Sequence, residues 1–263
     1  MSLIIIAGCG DTKIVSRWCD RDITIDGDET EWGNFIQHYD QHTGVSICMF
    51  NDSNHLYIKL STTNTATWRL IMGQGFTVWF YPDGGEEKVL GINFPIGLMG
   101  DIPPMATSTG RYRKPVSKED KDRLSDVMAK LQSKLEIITP ETGEFITVSP
   151  EEIENSGFNV KLGTTDDTLV YELKVPLGRN EVFGINAPGK TIDIGFETNE
   201  FNDNIKDNTA KNTKDKIEVD RPKFDGLNRG RPRRNTGSIG YMTPKPVNVR
   251  AMVVLAENQE KSH

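Results

Sequence analysis

Along much of the chain, apolar and polar residues alternate with the two-residue period of a half-buried strand. Residues 45–50 and His55-Leu56-Tyr57-Ile58-Lys59-Leu60 are two such runs, separated by the turn Asn51-Asp52-Ser53-Asn54. Phe76-Thr77-Val78-Trp79-Phe80-Tyr81 is a third; it stops at Pro82-Asp83-Gly84-Gly85, and residues 88–94 read as its returning partner. Thr168–Pro176, Thr191–Thr198 and residues 247–255 continue the series, and Ile23 to Ile25, closed by Asp26-Gly27, reads as a strand near the start. Short strands between turn signals, without a regular alternation of strands and long helices, predict an all-β fold. The expected architecture is one two-sheet antiparallel β-sandwich over residues 20–257.

One stretch has the other period. Leu124, Val127, Met128, Leu131 and Leu135 recur at steps of three and four, which predicts an amphipathic helix within residues 117–135, bounded by Pro115 and Pro140 and packed on the sandwich. That helix and the Gly-, Pro- and Met-rich loop before it, with Pro103-Pro104-Met105, form an insertion at 95–140. A second insertion, 202–240, holds ten basic and six acidic residues; its net +4 leaves −11 on the rest of a chain whose formal charge is −7. Its low apolar content predicts a solvated loop dispensable for folding. Within it, Arg229-Gly230-Arg231-Pro232-Arg233-Arg234 suits an anion such as an acidic polysaccharide, a phospholipid headgroup or nucleic acid, the alternative being simple solvation.

Composition narrows the class further. At 263 residues, with 36% hydrophobic and 26% charged side chains, the chain can bury a real core and is neither fibrous nor wholly disordered. No apolar run approaches the ~20 residues of a spanning helix. The acidic balance argues against nucleic acid as the partner. Three cysteines, Cys9, Cys19 and Cys48, are too few for a disulfide scaffold. Cys9 ends Leu3-Ile4-Ile5-Ile6-Ala7-Gly8-Cys9, an apolar stretch closing in small residues, which resembles a bacterial lipoprotein signal and its lipidated cysteine. Ile6 stands where such signals carry Leu, the apolar run is short, and no basic residue precedes it. The alternative is an apolar first strand. On the signal reading, residues 1–19 are signal and linker, the protein sits in the cell envelope facing the periplasm or the exterior, and the lipid anchor is its one link to the membrane. Cys19 and Cys48 then lie in an oxidising compartment where they can pair.

Four segments, in order, are similar to family 9 carbohydrate-binding modules and related DOMON-like domains. Ile23-Thr24-Ile25-Asp26-Gly27, followed by Glu31-Trp32, resembles the family's opening strand. Asn51 to Ile58 resembles its Leu-Tyr strand entry, Gly75 to Asp83 its aromatic strand ending in Asp, and Tyr171-Glu172-Leu173-Lys174-Val175-Pro176 its Tyr-Glu strand. The resemblance runs from about Arg21 to Leu255, broken by both insertions. It implies a sandwich that binds rather than catalyses, with carbohydrate as ligand and, in some members, structural calcium; its paired binding tryptophans do not align onto this chain.

Sugar binding needs flat aromatics for pyranose faces and polar groups around them. Trp68, in the polar run Thr65-Ala66-Thr67-Trp68-Arg69, is expected to be exposed. Trp79 and Tyr81 share the strand face opposite Phe76, Val78 and Phe80. These three are the candidate carbohydrate-binding residues, packing beneath the helix being the alternative for Trp79. Trp32 reads as a structural plug and Trp18 as a loose anchor. Asp26 and Asp28, with Glu29 and Glu31, gather hard oxygen donors, making them candidate calcium ligands, although the spacing is not an EF-hand's. His38, Asp40 and His42 lack the helical context and further ligand of a zinc site. No nucleophile elbow, phosphate-cradling loop or zincin motif is present, so hydrolase activity is the weaker reading. Two functions compete: a non-catalytic carbohydrate-binding domain, or a surface or assembly lipoprotein that meets a protein partner through residues 95–115.

Overall fold

A computed structural model describes residues 12–21, 23–82, 87–98, 118–140, 143–165, 167–178, 184–185, 187, 190–199 and 245–258. Its strands are β1 (Thr12–Val15), β2 (Arg17–Trp18), β3 (His38–Asp40), β4 (Val45–Asn51), β5 (His55–Thr62), β6 (Phe76–Pro82) and β7 (Leu90–Asn93). Then follow β8 (Leu135–Thr139), β9 (Glu144–Val148), β10 (Asn159–Thr165), β11 (Thr168–Pro176), β12 (Thr191–Thr198) and β13 (Asn248–Val254). The helices are α1 (Thr65–Gln74), α2 (Lys118–Leu131) and α3 (Pro150–Glu154).

The strands form two sheets, one of seven strands in the order β1-β13-β12-β6-β7-β8-β9, the other of six in the order β10-β11-β5-β4-β2 with β3 also on β4. Alternate residues of both sheets meet in one core: Val78, Phe80, Ile194, Phe196 and Val253 from the first, Ile47, Met49, Ile58, Leu60, Tyr171 and Leu173 from the second. The chain is therefore a two-sheet β-sandwich, as the alternating pattern predicts. The pairings are antiparallel except β1 with β13 and β2 with β4, which run parallel at the sheet ends. Those two strands are one stretch of chain divided at Ser16, which passes from one sheet to the other. Ser16 Oγ donates to Asn51 Oδ1, which also accepts from Ala256 N at 2.9 Å, while Asn51 Nδ2 donates to Ala256 O at 3.1 Å. A buried side-chain network thus fastens the first and last strands to the second sheet.

Three local readings change. Leu135 does not extend the helical stripe: α2 ends at Leu131, and Leu135 begins β8, buried in the same core. Both places put an apolar side chain inward, so the spacing alone does not separate them. Ile23 and Ile25 are buried but form no ladder, because their segment lies across a sheet face instead of joining it. Residues 65–74 form α1, whose start is capped by Asn64 Oδ1 accepting from Ala66 N at 3.0 Å. The insertion at 202–240 lies outside the described residues, as do most of 95–115 and the segment before Thr12.

The outer face of the six-stranded sheet is roofed by its own chain. Cys19, Ile23, Ile25 and Trp32 pack there with Cys48, Phe50 and Tyr57 as a second, smaller core. Trp32 is wholly buried and stacks on Phe50, with ring centroids 5.2 Å apart, which makes it the structural plug expected of it. Beneath the roof lies Glu172, also wholly buried. Its Oε2 accepts from Asp26 N at 3.0 Å and Gly27 N at 2.7 Å, and its Oε1 accepts from the Trp32 indole at 2.5 Å. The Asp-Gly, Trp and Tyr-Glu motifs are thus three parts of one clasp. Cys19 and Cys48 share this core as free thiols, and burial pushes Cys48 up to about 11, so it is inert at neutral pH.

Candidate functional site

With one outer face roofed, the outer face of the seven-stranded sheet is the one left for a ligand. The register of the seven-stranded sheet sets Trp79 between Gly91 on β7 and Gly195 on β12, and Tyr81 beside Asp193. Strand alternation puts Phe76, Val78 and Phe80 in the core and Thr77, Trp79 and Tyr81 on the outer face, as the sequence predicts. A Cβ on Gly91 would meet Trp79 ring carbons at 2.3–2.8 Å, so the indole lies down in the space that glycine leaves. A Cβ on Gly195 would come within 3.2 Å of the Tyr81 ring. Small residues flanking the strand allow both rings to lie against the sheet.

Each ring has a cation over it. Lys88 Nζ lies 4.3 Å from the Trp79 centroid and 3.0 Å from Glu197 on β12. Arg250 on β13 sets its guanidinium carbon 4.1 Å from the Tyr81 centroid, and its Nη2 is 3.0 Å from Asp193. Trp79 stays half-buried, while Tyr81 is 5% exposed. Burial, reinforced by Glu197 and Asp193 against the opposing effect of Arg250, raises the Tyr81 hydroxyl above its ordinary range, which keeps it neutral.

Beside Trp79 runs a polar chain on the same face. Thr77 Oγ1 donates to Asn199 Oδ1 at 2.7 Å, Asn199 Nδ2 to Asn93 Oδ1 at 3.0 Å, and Asn93 Nδ2 to Glu136 Oε2 at 2.7 Å. Thr77 and Asn93 are buried and fix the orientation of Asn199 and Glu136, whose partly exposed amide and carboxylate are the donors and acceptors a polyhydroxylated ligand needs. Sequence reading found the aromatic pair but missed Lys88, Asp193, Glu197, Arg250, Asn93 and Glu136. Their alternation within Thr191–Thr198 and residues 248–250 marks an outward polar face; which strands lie side by side has no local signal.

The remaining candidates go elsewhere. Trp68 is not exposed: it lies on the buried side of α1, is 3% exposed, and its indole donates to Thr62 O at 2.6 Å. The spacing of Trp68, Ile71 and Met72 between Asn64 and Gly75 was the available signal, masked by the polar residues around it. The structure does not bring Trp68 to the Trp79 face; Trp68 packs in the core with Ile71 and Met72. Asp26 and Asp28 build a turn: Asp26 Oδ1 accepts from Asp28 N at 2.8 Å, and Asp28 Oδ1 from Thr30 N at 2.8 Å. The Thr30 hydroxyl and amide hold the Asp28 carboxyl below the usual range. Among the described residues no three His, Cys, Asp or Glu side chains are grouped closely enough to hold a metal ion between them. Asp40 likewise fastens its own turn, accepting from His42 N at 3.0 Å and from Thr43 Oγ1 at 2.5 Å. Cys9 and the Arg229 to Arg234 cluster lie outside the described residues.

No protein-family model matches the chain, and no curated protein matches its sequence. Solved structures similar to it include two of a family 9 carbohydrate-binding module from Caldicellulosiruptor kristjanssonii. The one in complex with glucose is 13% identical over 72% of this chain and 78% of that one, with a TM-score of 0.34. The one in complex with cellotriose is 12% identical over 72% and 77%, with a TM-score of 0.32.

Proposed function

We propose that this protein is a non-catalytic carbohydrate-binding domain whose ligand lies on the outer face of the seven-stranded sheet, over Trp79. The observation that carries the reading is a half-buried indole seated flat over Gly91, beside the partly exposed Asn199 and Glu136, which the buried Thr77 and Asn93 hold in place. A pyranose has one apolar face and a rim of hydroxyls, which is the complement of such an arrangement. Tyr81 acts through Arg250, which covers it. The test is a glycan array read with and without calcium, followed by titration calorimetry on the best ligand. Trp79→Ala is expected to weaken binding at least about tenfold, since a stacked aromatic is a typical anchor. The half-buried position predicts that the variant keeps its cooperative melting transition. Unchanged affinity in Trp79→Ala would end this reading.

The envelope address is a separate proposal, supported by Ile6-Ala7-Gly8-Cys9 alone. A single acyl chain anchors only marginally, whereas the several chains of a lipoprotein hold stably. Mass spectrometry of the processed N-terminus in a bacterial host should find acylated Cys9; an unmodified Met1 would rule the anchor out.

A further inference from the structure

Two aromatic–carboxylate couples stand side by side on this face. Tyr81 lies opposite Asp193, while Trp79 is joined to Glu197, which lies opposite Thr77, through the Lys88 they share; two residues along β6 separate the two rings by about 6.8 Å. Each couple holds a cation from the protein itself, Lys88 at 4.3 Å from the Trp79 centroid and Arg250 at 4.1 Å from that of Tyr81. The repeated unit of ring, carboxylate and cation says what chemistry fits: a group with positive charge, seated on a π-face and bonded to a carboxylate. We propose that the ligand is a glycan bearing free amino groups, an amino-sugar oligomer whose ammonium groups replace Lys88 and Arg250 on these couples. This rests on the sugar-binding reading above and names the ligand class.

The exchange argument selects this class. The Lys88 and Arg250 side chains are 34% and 40% exposed, so each passes readily into water when displaced. An incoming ammonium then restores the ring and carboxylate contacts of the cation it replaces, and the sugar ring adds its own contacts with Trp79. A neutral sugar stacked in the same place would strip the rings of their cations and leave Glu197 and Asp193 unpaired beneath it. An acidic sugar would meet Glu197, Asp193 and Glu136 together. The chain carries a net charge of −7, so long-range attraction also favours a cationic ligand.

Titration calorimetry with three sugars of equal length tests it: a glucosamine oligomer, its fully N-acetylated form and a cello-oligosaccharide. The glucosamine oligomer is expected to bind best. Lys88→Ala and Arg250→Ala should each tighten it by about tenfold, because they remove a competitor held at high local concentration. Glu197→Gln and Asp193→Asn should weaken it by about tenfold. The acetylated oligomer should show neither effect. Glu151→Gln on α3, which changes net charge equally away from this face, should leave binding unchanged and so exclude general attraction to an acidic protein. Preference for either neutral oligomer would overturn this inference and leave the sugar-binding reading standing. Weaker glucosamine binding in Lys88→Ala would also overturn it, since Lys88 would then serve the ligand instead of competing. Failure of all three sugars to bind would remove both.

Discussion

Replacing Gly27 by alanine should destabilise the protein by about 2–5 kcal/mol, and each part of that figure has a source in the structure. Gly27 has φ of +86°, a left-handed conformation that costs an L-residue about 1–2 kcal/mol. A Cβ there would meet Gly163 Cα at 2.8 Å and Gly163 N at 3.0 Å, both backbone atoms of β10 that cannot swing aside. Forcing the segment away adds a strain of about 1–3 kcal/mol. The same movement pulls Gly27 N from Glu172 Oε2, now at 2.7 Å, inside a buried clasp. Urea denaturation at fixed pH measures the loss as a shift in midpoint at constant m. Two companions separate the causes. Gly163→Ala, whose Cβ would lie 2.0 Å from Gly27 O, should cost as much without left-handed strain, and the double variant should cost less than the sum because both break one contact. Gly143→Ala, with φ of +67° and no described residue within 4 Å of its Cβ, should show the strain alone. A loss below about 0.5 kcal/mol in Gly27→Ala would refute the reasoning, since it would mean that the roof lifts freely from the sheet.

Glu172 should make stability depend on pH in an unusual direction. Burial, the largest influence, lifts its carboxyl from 4.5 to about 7 against the pull of its N–H donors, with Asp26 adding to the rise. A folded value above the unfolded one means a contribution fully present below 4.5 and lost as pH rises through 7, about 3 kcal/mol in all. The unfolding free energy of the wild type relative to Glu172→Gln should therefore fall between pH 4.5 and 8; a flat or rising difference would show that the donors outweigh burial. Tyr171, buried at 2% exposure with ring contacts to Phe76 and Phe94, has a hydroxyl without a hydrogen-bond partner among the described residues. Tyr171→Phe should thus be neutral or stabilising by about 1 kcal/mol in thermal denaturation, and a loss above about 1 kcal/mol would reveal a bond to that oxygen.

The strands were legible because their signal is local. A two-residue period places Val78 and Phe80 inward and Trp79 and Tyr81 outward wherever the strand lies in the sheet, and turn residues such as Asp52 and Asn54 mark where it must reverse. The same locality made Trp32 readable as a plug. Helix α1 was less legible because its apolar side is only Trp68, Ile71 and Met72 amid polar neighbours, and only packing between the sheets decides that this side is buried. Leu135 belongs equally to a helical stripe and to an inward strand position, so its place depends on what pairs with it. The functional reading divides along the same line. Sequence by itself determined a β-sandwich with an aromatic pair on one strand face. Only the tertiary structure decided which face remained after Cys19, Ile23, Ile25 and Trp32 roofed the other, and which residues gathered around Trp79. Lys88, just before β7, reaches Glu197 on β12, and Arg250 on β13 reaches Asp193 on β12, because the register of β6, β12 and β13 brings distant segments of the chain side by side. Glu172 reaches Asp26 across 146 residues for the same reason: hydrogen-bond pairing between strands fixes distant neighbours, and no local pattern encodes it.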